Sequence, residues 1–138
     1  MSARLSLSTT VDVVKSNLIA GLSTKCTSVY VAEITSEIVG YVSCHWIPFL
    51  LFKGGEGYVT ELFVRPNFAG RGIGTILLRL VEEEAKDRGC SRLSLLNGQD
   101  RKSYELGFYL KRGWTEREKM RNFILPIANT RLDSETSN

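Results

Sequence analysis

Three glycines at alternate positions, Gly70, Gly72 and Gly74, enclose Arg71 between a stretch that reads as strand and one that reads as helix. Glycine lacks a Cβ, so such a loop can bring its backbone very close to a ligand. Where the loop opens a helix, its N–H groups and the helix dipole point the same way and favour a phosphate. Arg71 adds a full positive charge and a fork of donors. Just ahead, on the incoming strand, stands Glu61, a carboxylate able to take up or orient a proton. The loop suits a pyrophosphate; without a ligand it would be only a tight strand-to-helix turn. The two common nucleotide fingerprints do not fit. A dinucleotide loop starting at Gly70 and Gly72 wants a glycine where Thr75 stands, and the Gly-Lys-Ser/Thr of a P-loop is absent.

A third pattern does fit. Val64-Arg65-Pro66, followed after three residues by Gly70-Arg71-Gly72-Ile73-Gly74, resembles the acetyl-CoA-binding segment of the GNAT superfamily of N-acetyltransferases. That segment is usually Gln/Arg-x-x-Gly-x-Gly/Ala; Gly72 and Gly74 fill its small positions, and Ala69 stands where Gln or Arg is usual. Further on, Phe108-Tyr109-Leu110-Lys111-Arg112-Gly113-Trp114 resembles the family's second signature, a helix ending in Tyr and followed by Gly and an aromatic. The resemblance covers residues 28 to 127. It implies an α/β fold, a central mixed sheet with helices on both faces. It implies acetyl-CoA as cosubstrate, no metal, and direct transfer of acetyl to the primary amine of a small molecule or protein. By the same resemblance, Ala69, Gly70, Arg71, Gly72, Ile73, Gly74 and Thr75 hold the pyrophosphate. Leu62, Phe63 and Val64 serve the thioester and the pantetheine arm, with the N–H of Val64 or Phe63 as oxyanion donor, and Asn97 supplies a further pantetheine contact. Glu61 is the base, acting directly or through water, with Glu56 and Tyr58 near it; Tyr109 is the acid. Taken without the resemblance, Glu61 is equally a solvated strand charge, and Tyr109 an ordinary packing residue of an amphipathic helix.

The elements that position these residues follow from patterning. Tyr58 to Val64 is rich in β-branched and aromatic residues and reads as strand; Pro66 and Asn67 end it. Ile73 to Arg88 reads as helix, with Ile73, Leu77, Leu80, Val81 and Ala85 on one face and Gly89 as a left-handed cap. Glu82 with Lys86 and Glu84 with Arg88 are i,i+4 pairs expected on the solvated side. Upstream, Ser28 to Ile34 and Val39 to Trp46 read as a hairpin turning at Thr35-Ser36-Glu37, and Trp46 to Phe52 as an apolar loop that is either a contact surface or a longer packed strand. Ser91 to Leu96 completes a right-handed βαβ crossover. Arg101 to Lys111 then reads as a helix stopped by Gly113, and Trp114 to Pro126 as a last strand or hairpin arm. At the start, Arg4 to Leu7 is a candidate strand, and a helix opens at Thr9 with Val11, Val14, Leu18 and Leu22 on one face. Too few residues separate Leu22 from Ser28 for the second helix usual in the family, which implies an open acceptor side, or one closed by a dimer partner or the apolar loop. Residues 1–127 are expected to form one domain, with 128–138 a flexible tail.

Composition sets the remaining bounds. The 138 residues carry a net charge of +3 and are 43% hydrophobic, which suits one folded domain with a proper core. No basic stripe interleaved with aromatics argues for nucleic acid. The longest apolar run is too short to span a membrane, and no signal peptide is evident. Cys26, Cys44 and Cys90 lack metal-ligand spacing and read as reduced cytoplasmic thiols. His45, the only histidine, reads as structural. Two function classes remain: an N-acetyltransferase, possible as a homodimer, and a non-catalytic CoA-binding module of the same fold serving as sensor or interaction subunit.

Overall fold

The computed structural model describes residue 19 and residues 25–51, 53–102 and 106–127. The expectations for the first strand and helix, for the shortened connection after Leu22 and for the tail at 128–138 lie outside the described residues. Two compact units divide the chain, Met1–Leu95 and Leu96–Asn138, and each is described by itself.

The described residues of the first unit form a four-stranded sheet with a helix packed on it. Strands β1 (Thr27–Ile34), β2 (Glu37–Ile47) and β3 (Glu56–Val64) pair antiparallel in sequence order, and β4 (Arg92–Leu95) joins β3 in parallel. Helix α1 (Ile73–Arg88) makes the crossover from β3 to β4. The hairpin between β1 and β2 turns at Thr35 and Ser36, both with positive φ (48° and 64°), the twist that two-residue hairpin turns require.

The helix runs over the residues expected from the sequence because both ends are set chemically. Gly72 at φ 82° and Gly89 at φ 72° take the left-handed conformation before and after it. The Gly89 N–H closes the last turn on the carbonyls of Ala85 and Lys86. The buried face is Leu77, Leu78, Val81 and Ala85. Leu78 therefore replaces Leu80, which is 36% exposed. An ideal helical stripe fixes the period but not the angle at which the helix meets the sheet, and that angle chooses between neighbours. With Val42 and Cys44 of β2, these side chains form the core between helix and sheet; Val39 is buried on the opposite face. Full burial of each Leu or Val is worth about 1.5–3 kcal/mol.

Glu84 also departs from expectation. It does pair with Arg88, Nε to Oε2 at 2.7 Å, but it faces the sheet rather than solvent. Ser28 Oγ donates to its Oε2 at 2.8 Å and Tyr30 OH to its Oε1 at 2.6 Å. Trp46 Nε1 donates to Ser28 Oγ at 2.9 Å, and the Arg88 guanidinium lies 4.7 Å from the Trp46 ring centroid. This network ties edge strand β1 and β2 to the C-terminal half of α1. Burial opposes the Glu84 charge, but the hydrogen bonds from Tyr30, Ser28 and Arg88 and the Arg88 charge outweigh it and hold the carboxyl below its ordinary range. The same Glu84 bond, with burial, pushes Tyr30 up to about 12.

The apolar stretch after Trp46 ends its strand at Ile47; the loop that follows leaves Phe49 at 41% exposure and Leu50 and Leu51 almost wholly exposed. Of the two readings, a longer packed strand is thus excluded for Phe49 to Leu51.

In the second unit the expected helix over 101–111 is interrupted. Leu106 N–H bonds to Lys102 O at 2.9 Å, but Gly107 at φ 64° turns the chain, and only a 3-10 turn, Leu110–Arg112, follows. Gly113 at φ 91° ends it as expected. Described residues of Trp114 to Pro126 form no strand; alternation alone does not make one without a sheet edge to pair with, and Met120, Phe123, Ile124 and Leu125 are exposed.

Candidate active site

The site begins with an irregularity in β3. Ser43 pairs with Glu61 and Cys44 with Val59, so Thr60 is an extra residue on β3, a β-bulge. Before it, alternation puts Gly57 and Val59 on the face covered by α1; a Cβ at Gly57 would sit 2.5 Å from Leu93 Cδ2 and from the Trp46 ring. After it, Leu62 and Val64 take that face, as Val64 Cγ2 and Ile73 Cγ2 both lie near the Cβ position of Gly40. Glu61 and Phe63 are thereby turned to the face away from α1. Strict alternation would have sent Glu61 towards the helix. The bulge is set by cross-strand register, and nothing in the local sequence marks it.

On that outer face Glu61 is exposed, and Tyr41 OH donates to its Oε2 at 2.6 Å. Tyr41, 8% exposed, is a participant that sequence reading missed; only the register reveals it. Beside this pair, the hydroxyls of Ser43 and Thr60 lie 2.7 Å apart across the bulge. Glu56 and Tyr58, expected near Glu61, lie earlier on β3; Glu56 is buried and bound to Arg92 of β4, so it is a structural ion pair.

The pairing of β3 with β4 ends at Val59 and Leu95. Beyond that point, among the described residues, β2 is the strand that pairs with β3. Arg65 N–H donates to Val39 O of β2 at 2.8 Å. Because successive amides of a strand point to opposite edges, the N–H of Phe63 also faces β2, and those of Leu62 and Val64 face the edge that β4 has left. The N–H of Val64 thus points to that edge, and that of Phe63 does not. Arg65 is held further by an ion pair with Glu37.

After β3, Pro66–Phe68 forms a 3-10 turn, and Arg71 stacks over the Phe68 ring at 4.8 Å. Gly70 (φ 78°) and Gly72 (φ 82°) then lead into α1, and a Cβ at either would meet nothing within 4 Å. These glycines are required by backbone conformation, not by crowding. No side chain caps α1 at its start, and its first turn holds no acidic residue. The first intrahelical bond is from Ile76 N–H to Gly72 O at 3.1 Å, so the amides of Ile73 and Gly74 do not donate within the helix. A helix start with donors the helix does not use, a glycine approach and an adjacent arginine suits a phosphate-rich group. The structure thus brings Glu61, Leu62, Phe63 and Val64 and the loop from Ala69 to Thr75 into one strand-loop-helix unit.

Asn97 and Tyr109 belong to the second unit. Tyr109 packs edge-on against Phe108 at 5.0 Å and Trp114 at 5.9 Å between centroids, and the Trp114 N–H closes back on Tyr109 O at 3.1 Å. Arg112 stacks over Phe108 at 3.8 Å. The second signature is therefore an aromatic cluster around a turn.

The remaining reactive groups are structural. His45 Nδ1 lies 3.2 Å from Thr27 Oγ1. Burial, then the nearby Glu84 charge, pushes the Cys44 thiol up to about 12, and burial raises Cys90 as well, so neither supplies a ready thiolate. Among the described residues there is no cluster of metal-ligating side chains and no helix long and apolar enough to cross a membrane.

Comparison with known proteins places this arrangement. The profile of the Acetyltransferase (GNAT) family matches residues 10–114, and the chain belongs to that family. It is 35% identical over 97 residues, 69% of its length, to an uncharacterized N-acetyltransferase of Methanocaldococcus jannaschii, and covers 42% of that protein. It is 36% identical over 73 residues, 47% of its length, to the thialysine N-epsilon-acetyltransferase of Bos taurus, again covering 42% of the relative. The chain thus spans less than half the length of these curated relatives. Among solved structures, an aminoglycoside acetyltransferase from an uncultured soil metagenomic sample superposes with a TM-score of 0.73 at 21% identity, covering 82% of this chain and 74% of that one. A predicted acetyltransferase of Clostridium acetobutylicum, solved with acetyl-CoA, gives 0.67 at 20% identity over 82% and 73%. These likenesses establish the fold.

Proposed function

We propose that the chain is an acetyl-CoA-dependent N-acetyltransferase that moves an acetyl group directly to a primary amine. The observation that carries this reading is the start of α1: a left-handed glycine cap, donors without intrahelical acceptors and no competing acid, joined by one short loop to Glu61 and the open-edge N–H of Val64. Family membership and the relatives' names support it.

Acetyl-CoA supplies an activated thioester. The residues of this chain do the rest. The Ala69–Thr75 loop and Arg71 bind the pyrophosphate, while Leu62, Phe63 and Asn97 steady the pantetheine arm. An amine of pKa about 10 arrives protonated and must lose that proton before it can attack. Glu61 takes it, directly or through a water. The N–H of Val64 holds the carbonyl oxygen as charge develops, an effect worth about 3 kcal/mol for one preorganised donor. As the C–N bond forms and the C–S bond breaks, the sulfur takes a proton, the role that the family resemblance gives to the Tyr109 hydroxyl, and the second proton shed by the nitrogen passes through water to restore it.

The test begins with calorimetric titration of acetyl-CoA, with NAD and ATP as controls. Thiol release is then followed with a panel of free amino acids, diamines, aminoglycosides and lysine peptides. Thialysine joins the panel because a relative bears its name. Selective acetyl-CoA binding with amine-dependent thiol release is the expected result. Glu61→Gln and Tyr109→Phe should each cut kcat by about 100-fold, the lower end of general acid–base contributions, and leave the acetyl-CoA Kd in place. Binding without thiol release for any amine would replace the enzyme with a CoA-binding module.

A further inference from the structure

We propose that Tyr41 is the positioning residue for proton transfer, holding the Glu61 carboxylate through its phenol. The inference rests on the proposed role of Glu61 as base and adds a residue to it. Alternation along β2 turns Val39, Tyr41 and Ser43 away from α1, and the bulge at Thr60 brings Glu61 onto that same face. Tyr41 sits opposite Phe63 and Glu61 opposite Ser43, which makes Tyr41 and Glu61 diagonal cross-strand neighbours. A diagonal separation is one that a long aromatic side chain can span. The phenol does so, meeting Glu61 Oε2 at 2.6 Å.

The two partners differ in what fixes them. Tyr41 is 8% exposed, and its ring lies 6.2 Å from that of Phe63, so packing sets where the hydroxyl points. Glu61 is exposed, and its rotamers are not set by packing. A rigid donor therefore selects one rotamer of a mobile acceptor. An ionised carboxylate only accepts, so the phenol must be the donor here. One oxygen is occupied, and Oε1 is left for the ammonium of the acceptor. The Ser43–Thr60 hydroxyl contact at 2.7 Å steadies the bulge that makes the meeting geometrically possible. Misplacing a reacting group by an ångström is enough to lose much of its benefit.

The experiment compares wild type, Tyr41→Phe, Glu61→Gln and the double variant. Acetyl-CoA and the fastest acceptor from the amine panel serve as substrates, with melting and acetyl-CoA Kd measured alongside. Tyr41→Phe removes one oxygen and keeps the ring. Its kcat should fall about tenfold with the acetyl-CoA Kd unchanged. In the Glu61→Gln background the same substitution should cost nothing further, because the proposed part of the hydroxyl in turnover is to hold that carboxylate. A second measurement needs no turnover: in protein labelled with 13C at the glutamate side-chain carboxyls, the resonance that Glu61→Gln removes should move in Tyr41→Phe while the others stay. An unmoved resonance, an unchanged kcat, or an equal loss in both backgrounds overturns the inference. Full activity in Glu61→Gln alone would instead overturn the assignment of the base.

Discussion

Two glycines at the start of α1 make opposite demands on stability and different demands on binding. Gly72 caps the helix at φ 82°, in the left-handed region. An L-residue held there costs about 1–2 kcal/mol. A Cβ would meet nothing within 4 Å, so no clash adds to the cost. Gly72→Ala should thus lower stability by about 1–2 kcal/mol, a fall in Tm of roughly 3–10 °C for a domain of this size. Gly74 lies inside the first turn of the helix. There alanine is the better helix former, and Gly74→Ala should raise stability by up to about 1 kcal/mol. If the amides of this turn hold a pyrophosphate, Gly72→Ala reshapes the approach and should bind acetyl-CoA at least tenfold more weakly, whereas Gly74→Ala keeps to the Gly/Ala of the family pattern and should bind it as wild type does. Melting by circular dichroism and calorimetric titration read the two effects separately. A Gly72→Ala protein as stable as wild type would refute the conformational reasoning. A Gly72→Ala protein with unaltered affinity would refute the phosphate site.

Other expectations follow from the core and its polar network. Gly57→Ala places a methyl 2.5 Å from both Leu93 Cδ2 and the Trp46 ring, so it should destabilise by about 1–3 kcal/mol through overpacking, measured by urea unfolding. Tyr30 is raised to about 12, so its protonated form is the one the fold favours; its contribution is complete below about pH 10 and is lost as pH climbs towards 12. Glu84 is lowered, so its contribution is present above the ordinary carboxylate range and is lost as pH falls through its own value. Tm measured against pH should decline at both ends, and Tyr30→Phe should blunt both declines; Cys44 keeps part of the alkaline one, because its thiol is also raised to about 12. Identical pH profiles for the two proteins would contradict the network.

What the sequence made legible was the part governed by local chemistry. The bounds of α1 follow from glycines that take positive φ at both ends, and the hairpin turn from residues bounded by two β-rich runs. The glycine loop and the family signatures could be read directly. What stayed hidden depends on partners distant in the chain. Leu78 rather than Leu80 is buried because the sheet fixes the docking angle of the helix. Glu84 looked like a surface pair because Ser28 and Tyr30, its other partners, lie more than fifty positions away in sequence. The bulge at Thr60 exists only in the register with β2, and with it the orientation of Glu61 and the role of Tyr41. Helical patterning over 101–111 concealed the turn at Gly107, where one backbone angle overrides the surrounding preference.

The bulge also divides β3 into two lengths with different obligations. From Glu56 to Val59 the strand is flanked on both edges, and each residue there answers to packing. From Glu61 to Val64 one edge has been given up by β4. Evolutionary freedom should be distributed accordingly. The first length tolerates only changes of equal volume. In the second, the backbone is anchored to β2 and by Arg65 to Val39, so on the proposed function Glu61 answers to chemistry rather than to packing. A single inserted residue thereby separates the length of the strand that packing governs from the length that the proposed chemistry would govern.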